Sequence, residues 1–255
     1  MSDPVIGDIV VKDRVEKVLS QGSAPQFFSC WDMHSYYGES YIVQGISFDI
    51  REGEVVALLG RNGAGKTSTL RSIARLDSPQ VTHGEIWLDH QPLHAMKSHE
   101  AAQSGVALVP EDRRIIPGLT VEENLLIGLP ARRDGLRKVP DFIYELFPVL
   151  KEMLGRRGGD LSGGQQQQLA IGRALVTDPK LLILDEPTEG IQPNIVAEIG
   201  SIVRKLNRDM GLTVLLVEQK LPFARKVADR FCLLDRGRAV ATGMMGELNE
   251  ELIQQ

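Results

Sequence analysis

Short runs of Val, Ile and Leu recur along the chain, and helix-like stretches separate several of them. The runs cover residues 55–59, 106–109, 181–184, 213–217 and 231–234. Runs this short and this aliphatic are typical of strands that are covered on both faces. The economical arrangement of such strands is a mainly parallel sheet between helices. The pattern therefore predicts an α/β fold.

The first part of the chain lacks such a pattern. Residues 1–26 mix charged residues with Gly, Ser and Pro and show no sustained period, which predicts a mobile or loosely helical extension. From Phe27 the pattern changes, and Ile46, Phe48 and Ile50 alternate with polar residues, as in a strand with one buried face. We therefore expect one folded domain over residues 27–255, with an antiparallel β part beside the parallel sheet.

The segment over residues 112–159 differs from its surroundings. It is rich in charges and glycines, and its apolar residues have a helical spacing that is interrupted near Pro148. Thr120 and Glu123 fit a capping box at the start of one helix. We interpret this segment as a helical subdomain inserted into a core that comprises residues 27–111 and 160–247.

Composition and charge exclude several classes of protein. The net charge of -5 provides no basic field for a nucleic-acid partner. The longest apolar runs are far shorter than the roughly 20 residues of a membrane span. The N-terminus is acidic and does not resemble a secretory signal, so a cytoplasmic location is expected. Cys30 and Cys232 lie alone in apolar segments and are predicted to be buried, reduced thiols.

A phosphate-binding loop is the clearest chemical motif. Residues 60–67 match G-x-x-x-x-G-K-[ST] between a predicted strand and a predicted helix. Glycines allow backbone N–H groups to point at phosphate oxygens, Lys66 adds a positive charge near the β- and γ-phosphates, and the Thr67 hydroxyl is placed for Mg²⁺. A glycine-rich turn with an incidental Lys-Thr is the less favoured alternative. The predicted ATP-binding residues here are Gly60, Arg61, Asn62, Gly63, Ala64, Gly65, Lys66, Thr67 and Ser68.

An acidic pair follows the apolar run at residues 181–184. Asp185 stands at the predicted strand end, where its carboxylate can hold Mg²⁺, and Glu186 stands beside it, where a carboxylate can orient and deprotonate the attacking water. Two solvent-exposed acids at a strand end would be the plain interpretation. Beside a phosphate loop, the sequence favours a metal ligand at Asp185 and a catalytic base at Glu186.

A third motif, Leu-Ser-Gly-Gly-Gln at residues 161–165, shows a resemblance to ABC-type ATPases that covers residues 27–247. The resemblance implies that this motif opens a helix and forms a second anion site, which faces the γ-phosphate bound by another protomer. A flexible polar loop is the alternative interpretation. The residues implied to contact ATP across the dimer are Ser162, Gly163, Gly164 and Gln165.

The same resemblance implies two further residues near the nucleotide. Tyr37 matches the aromatic residue on which the family stacks adenine, with Tyr36 as the neighbouring candidate. Glu111 stands where most members have glutamine, and its carboxylate can accept water or approach Mg²⁺ but cannot donate a hydrogen bond. Close to phosphate it needs a cation to offset repulsion, and Arg113 and Arg114 are the candidates.

Two other positions depart from the family pattern. Gln219 stands where most members have histidine, and Gln192 stands where the dimer-contact loop usually has aspartate. The Gln219 amide can donate a hydrogen bond to the γ-phosphate but does not titrate near neutral pH. We therefore expect Glu186 to act as the base, and we expect Lys66 and Gln219 to be the other catalytic residues. Residues 189–191 are expected in the protomer contact, with a simple turn as the alternative.

Details of sequence point, by resemblance, to the ATPase subunits of branched-chain amino acid importers, with urea and short-amide importers as the alternative. The residues that carry this likeness are 109–114, 119–125, 144–148 and 217–219. The implied partners are membrane permease subunits, a second ATPase subunit that is either identical or a paired homologue, and a periplasmic binding protein reached through the permease. A groove beside Glu111 and residues 112–128 would receive a permease helix, at the inner face of the cell membrane.

Two other functions compete with the importer ATPase. An ABC-type ATPase outside transport usually carries two ATPase domains or long coiled coils, and this sequence shows neither. A nucleotide-binding module without turnover is disfavoured by Asp185 and Glu186. Histidines that are close in sequence suggest a metal site, but a solvated surface is favoured because no Cys and no shared helical face accompany them. These histidines are His83, His90, His94 and His99.

Overall fold

The computed structural model describes residues 27–249. The predicted extension over residues 1–26 therefore lies outside the described residues. Within residues 27–249, no helix is long and apolar enough to cross a membrane.

The described strands form two sheets, and each apolar run singled out above is a strand. In chain order the strands are β1 Phe28–Tyr37, β2 Ser40–Ile50, β3 Val55–Leu59, β4 Gln80–Leu88, β5 Gln91–Pro92, β6 Val106–Val109, β7 Leu181–Asp185, β8 Thr213–Glu218, β9 Arg230–Asp235 and β10 Arg238–Met244. The larger sheet has the order β10-β9-β3-β8-β7-β6, with β10 antiparallel to β9 and the other neighbours parallel. The smaller sheet is antiparallel, with the order β2-β1-β4-β5. The predicted α/β fold with an antiparallel part is confirmed.

Helices cover the faces of the larger sheet and fill the segment between β6 and β7. In chain order the helices are α1 Lys66–Ile73, α2 Ser98–Ser104, α3 Val121–Leu126, α4 Asp141–Leu146, α5 Pro148–Glu152, α6 Gly163–Val176, α7 Pro193–Met210 and α8 Leu221–Val227. Because successive side chains of a strand point to opposite faces, the larger sheet separates two hydrophobic cores.

The central strand β3 illustrates this division. Val55, Ala57 and Leu59 belong to the core that also contains the apolar faces of α6 and α7. Val56 and Leu58 belong to the second core, with α1 and the antiparallel sheet. All five are at most 2% exposed, and full burial of a Val or Leu side chain contributes about 1.5–3 kcal/mol. The strand is therefore held from both sides, and the loop that follows it starts from a rigid position.

The insertion between β6 and α6 is helical, with α3, α4 and α5 packed against α6. Pro148 is the first residue of α5, so the interruption predicted there is a break between two short helices. A Cβ on Gly172 of α6 would lie 3.2–3.5 Å from Leu125, Ile143 and Leu150. The absence of a side chain at Gly172 therefore lets all three helices of the insertion approach α6 closely. The domain boundaries at residues 112 and 159 stay a prediction.

Candidate functional site

The phosphate loop lies between β3 and α1, at the carboxyl end of the parallel strand. A Cβ on Gly60 would lie 2.5 Å from the Leu234 carbonyl oxygen, so this position requires glycine. Gly63 and Gly65 have φ angles of 80° and 96°, in the left-handed region that favours glycine. No acidic side chain stands in the first turn of α1. The positive end of this helix is therefore available to an anion.

A cleft of about 480 Å³ opens above this loop. Its lining residues are Ile42, Asn62, Gly63, Gly65, Lys66, Thr67, Ser68, Glu111, Glu186, Glu189 and Gln219. The structure thus brings Glu111, Glu186 and Gln219 to the phosphate loop from three distant parts of the chain. Gly60, Arg61 and Ala64 shape the loop without lining the cleft; Ala64 donates its N–H to the Arg61 carbonyl at 3.1 Å. We call this space the phosphate cleft.

The Lys66 ammonium lies inside the loop, and the side chain is 5% exposed. It donates hydrogen bonds to the carbonyl oxygens of Gly60 at 2.9 Å and Arg61 at 3.2 Å. It also lies 3.5 Å from a carboxylate oxygen of Glu186. A buried cation of this kind offsets the negative charge of the acids around it and is placed to meet phosphate oxygens.

Asp185 lies next to Thr67, which lines the phosphate cleft, but Asp185 itself does not line it. The Thr67 hydroxyl donates to an Asp185 oxygen at 3.5 Å, and Asp185 is 3% exposed. Burial, together with the charges of Glu186 and Glu111, raises the pKa of the Asp185 carboxyl to about 6, although the Thr67 hydrogen bond and the Lys66 charge lower it. The Thr67 hydroxyl and the carboxylates of Asp185 and Glu111 provide hard oxygen donors, which are the ligands that Mg²⁺ prefers.

Glu186 and Gln219 are joined directly. The Gln219 amide nitrogen donates to both oxygens of the Glu186 carboxylate, at 2.6 and 2.8 Å. Glu186 has a φ of 45°, a left-handed conformation that is unusual for a residue with a side chain. The strand end at β7 thus turns sharply and projects this carboxylate into the cleft, where Gln219 and Lys66 fix its orientation.

A second cleft of about 520 Å³ lies at the amino end of α6. Its lining residues are Pro148, Val149, Ser162, Gly163, Gly164, Gln165, Gln168, Gly190, Ile191, Gln192, Ile195 and Glu198. Ser162 caps α6: its hydroxyl accepts the Gln165 N–H at 3.4 Å, and its own N–H donates to the Gln165 side chain at 2.9 Å. We call this space the helix-tip cleft. Among the described residues, the two clefts share no lining residue, so one chain presents them as separate sites.

The tyrosines of the β1–β2 hairpin have different surroundings. The Tyr36 ring stacks on Tyr41, with 4.7 Å between the centroids. Tyr37 pairs with Ser40 across the hairpin and is 37% exposed. Among the described residues the Tyr37 ring has no stacking partner, and Tyr37 does not line the phosphate cleft, so its contact with adenine stays a prediction.

The structure bears on the roles considered for Arg113, Arg114 and the histidines. Neither Arg113 nor Arg114 pairs with Glu111: Arg114 bonds to Asp112 at 3.1 Å, and Arg113 reaches α6 and the Glu189 carbonyl. Among the described residues, both guanidinium groups bond elsewhere, so neither forms an ion pair that would offset the Glu111 charge. Within the described residues, no group of three His, Cys, Asp or Glu side chains is placed to hold a metal ion.

Sequence reasoning missed the residues behind the site. Glu218 and Lys220 hold the loop after Glu186 through hydrogen bonds to Thr188. Nothing in the local pattern around these residues indicates such bonds. Burial also raises the pKa of the Glu218 carboxyl, although its bond from Thr188 lowers it. The position of Lys220 directly after Gln219 is the one available signal.

Comparisons with known proteins agree with this geometry. The ABC transporter family matches residues 43–189. The chain is 44% identical over 207 residues to the high-affinity branched-chain amino acid transport ATP-binding protein BraG of Pseudomonas aeruginosa, covering 81% of this chain and 88% of the relative. It is 34% identical to the probable branched-chain amino acid transport ATP-binding protein LivF of Archaeoglobus fulgidus, covering 86% of this chain and 92% of that one.

A solved structure extends the agreement to the fold. The dimeric post-hydrolysis state of an ATP-binding cassette bound to ADP and inorganic phosphate superposes with a TM-score of 0.76 at 27% identity, covering 86% of this chain and 98% of that one. The phosphate loop, the acidic strand end and the helix-tip motif stand within this shared fold. The chain therefore belongs to the ABC transporter family, as an ATP-binding cassette.

Proposed function

We propose that two copies of this chain, or one copy and a paired homologue, hold ATP between the phosphate cleft of one and the helix-tip cleft of the other, and that Glu186 drives its hydrolysis. The observation that carries this proposal is the position of Glu186, which lies 3.5 Å from the phosphate-loop lysine and is held by Gln219 through both oxygens. A carboxylate fixed in this way can orient water toward the γ-phosphate and accept its proton.

The other side chains of the phosphate cleft complete this role. Loop N–H groups and Lys66 bind the phosphates, and Tyr37 stacks on the adenine. Thr67, Asp185 and Glu111 would hold Mg²⁺, which neutralises phosphate charge during transfer of the γ-phosphoryl group. Gln219 keeps the Glu186 carboxylate in position. The oxygen donors of Thr67, Asp185 and Glu111 fit Mg²⁺, and the glycine-rich loop fits the ATP phosphates.

The second copy supplies residues 162–165. No acid occupies the first turn of α6, and Ser162 keeps its helix regular from the first residue. The N–H groups of Gly163 and Gly164 and the Ser162 hydroxyl therefore present an anion site without competing negative charge. Support for the arrangement comes from the separation of the two clefts in one chain, together with the dimeric cassette of the same fold.

We also propose that the helical insertion docks on a membrane permease at the cytoplasmic face. Ile116, Leu126 and Ile127 are 41%, 39% and 44% exposed; Ile116 lies in the loop before α3, and Leu126 and Ile127 lie at the end of α3. Exposed apolar side chains in one segment favour a protein contact.

Two relatives are named for branched-chain amino acid transport, so we assign the same cargo class, delivered by a periplasmic binding protein. Uptake of labelled leucine should fall in a deletion strain while uptake of labelled urea is unchanged; the reverse outcome would assign the cargo to urea.

The direct test of the proposed chemistry is phosphate release from MgATP by the purified chain and its Glu186→Gln variant. Loss of the base should lower kcat by about 10²–10⁴-fold and leave MgATP binding unchanged. Glu52→Gln is the matched control and should keep wild-type turnover, because Glu52 is exposed and lines neither cleft. Near-normal turnover of the Glu186→Gln variant would exclude Glu186 as the base.

A further inference from the structure

One short loop borders both clefts. It comprises residues 187–192, directly after Glu186, and we call it the linking loop. Glu189 lines the phosphate cleft, whereas Gly190 and Gln192 line the helix-tip cleft. Glu189 and Gly190 are consecutive residues, so a displacement of this loop at the phosphate cleft also moves the residues that line the helix-tip cleft.

Two cations hold consecutive carbonyl groups of the linking loop. The Lys220 ammonium donates to the Thr188 carbonyl at 3.0 Å. The Arg113 guanidinium donates to the Glu189 carbonyl at 3.1 Å. Lys220 directly follows Gln219, and Arg113 lies two residues after Glu111. The two loops that bring polar side chains into the phosphate cleft thus each send a cation to the linking loop.

The contact on the Lys220 side is reinforced below the surface. The Thr188 hydroxyl donates to a Glu218 carboxylate oxygen at 2.7 Å, and these two residues are 1% and 2% exposed. The backbone N–H of Lys220 donates to the other Glu218 oxygen at 3.3 Å. Lys220 also lies 3.6 Å from the carboxylate of Glu189. The linking loop and the end of β8 therefore move as one unit, since buried hydrogen bonds are costly to break.

The contact on the Arg113 side extends to α6. Arg113 donates to the side-chain oxygen of Gln167 at 3.1 Å, and Gln167 is 2% exposed. The amide nitrogen of Gln167 has no hydrogen-bond partner among the described residues. Loss of Arg113 would leave this buried side chain wholly unpaired, which favours movement of Arg113 together with α6. A Cβ on Gly163 would lie 3.5 Å from the Arg113 guanidinium, so this group stands at the helix tip itself.

The backbone around Arg113 is strained. Arg113 and Arg114 have φ angles of 61° and 44°, so two successive residues with side chains adopt the left-handed region. Such a conformation persists only where surrounding contacts hold it. The bonds from the Arg173 guanidinium to the carbonyls of Arg113 at 3.2 Å and Arg114 at 2.8 Å supply that restraint from α6.

We propose that Arg113 and Lys220 are positioning residues that couple nucleotide in the phosphate cleft to closure of the helix-tip cleft on the nucleotide of the second copy. This inference rests on the proposed head-to-tail dimer. Neither residue lines either cleft. When MgATP fills the phosphate cleft, Glu111 approaches the Mg²⁺ and Gln219 holds Glu186 beside the γ-phosphate. Their loops carry Arg113 and Lys220 with them, and these draw the linking loop and the tip of α6 into the closed arrangement. The coupling is a difference in dimer affinity between nucleotide-bound and nucleotide-free chains.

The test compares MgATP binding with MgATP-driven dimerisation in the full chain. The Glu186→Gln chain serves as the parent, because slow turnover allows both equilibria to be measured. Equilibrium dialysis with labelled ATP at low protein concentration reports binding to the monomer, and sedimentation velocity at saturating MgATP reports dimerisation. Lys220→Met and Arg113→Met should bind MgATP within about twofold of the parent and dimerise at least about tenfold more weakly, the loss expected when a hydrogen bond from a charged group is removed.

Two controls separate coupling from general damage. Lys205→Met removes an exposed lysine of α7 and should match the parent in both measurements. Glu189→Gln removes the ion pair but keeps the carbonyl contact and should weaken dimerisation less than Lys220→Met. Unchanged dimerisation of Lys220→Met, or an equal loss of MgATP binding, would overturn the inference. If the parent binds MgATP without dimerising, the proposed dimer fails as well; if it does not bind MgATP, the proposed chemistry fails first.

Discussion

Gln219 occupies a position from which an imidazole would titrate near neutral pH, and its amide instead holds the base directly. One nitrogen donates to both oxygens of Glu186. An amide donates at every pH at which the protein is folded, so the orientation of Glu186 does not depend on the protonation of its neighbour. Glutamine in place of histidine at this position thus keeps a hydrogen-bond donor but has no side-chain group that titrates near neutral pH.

Substitutions at Gln219 test this role. Gln219→Glu places a second carboxylate against Glu186 and removes the donor, so kcat at saturating MgATP should fall on the order of 10²-fold. Gln219→His keeps a ring N–H donor and should stay within about tenfold of the wild-type kcat. Phosphate release by both purified variants provides the measurement. Equal kcat values for the Glu and His variants would show that the Gln219 amide does not orient the base.

At the residue scale, the sequence predicted groups that follow a contiguous motif. Lys66, Thr67 and Asp185 fall where their motifs place them, because strand ends and helix starts fix their local geometry. It did not predict the partners of Arg113 or Lys220, since these bonds join segments more than 30 residues apart. Hydrogen bonds of this kind depend on how strands are ordered in the sheet, which local periodicity does not encode.

At the scale of elements, the insertion is organised around Asn124 on α3. This side chain is fully buried, accepts the Ile116 N–H at 2.8 Å, and donates to the carbonyls of Ile116 at 3.0 Å, Leu119 at 3.3 Å and Thr120 at 2.9 Å. It therefore ties the loop that precedes α3 to the helix itself. That loop carries Ile116, one of the exposed apolar residues assigned to permease docking.

Asn124→Ala removes all of these bonds and leaves buried backbone groups unpaired. The free energy of unfolding should fall by about 2–4 kcal/mol, measured by urea denaturation followed by circular dichroism. Asn194→Ala on α7 is the matched control, because Asn194 is exposed, and its effect should stay within about 0.5 kcal/mol. A loss below about 1 kcal/mol in the Asn124 variant would mean that the loop is held by other contacts.

The sequence predicted elements well where one periodicity dominates and less well where it is broken. The capping box at Thr120 and Glu123 forms as expected, with bonds of 2.8 and 3.2 Å. The strand β1 was not singled out, because register shifts between Cys30 and Met33 and on either side of His34 interrupt the alternation of buried and exposed residues. Irregularities of this kind are stabilised by neighbouring strands, which the local pattern does not reveal.

At the scale of the whole molecule, one chain presents two separate clefts, each of which is proposed to bind part of the nucleotide. The phosphate cleft is lined by the proposed base Glu186 and by two of the proposed Mg²⁺ ligands, Thr67 and Glu111, whereas none of these residues lines the helix-tip cleft. A single copy therefore has each half of a site but no complete one. The account predicts that a complete site forms only between copies, with each copy contributing a different half.

Mixing two inactive variants tests this claim most directly. Lys66→Met disables the phosphate cleft; Ser162→Asp keeps a good helix cap but places a negative charge where phosphate would bind. Each variant alone should be nearly inactive, because every dimer site contains the defect. In an equal mixture, half of the dimers are mixed and one of their two sites is intact, so MgATP hydrolysis should recover to about a quarter of the wild-type rate per chain. A mixture no more active than its separate components would contradict the account.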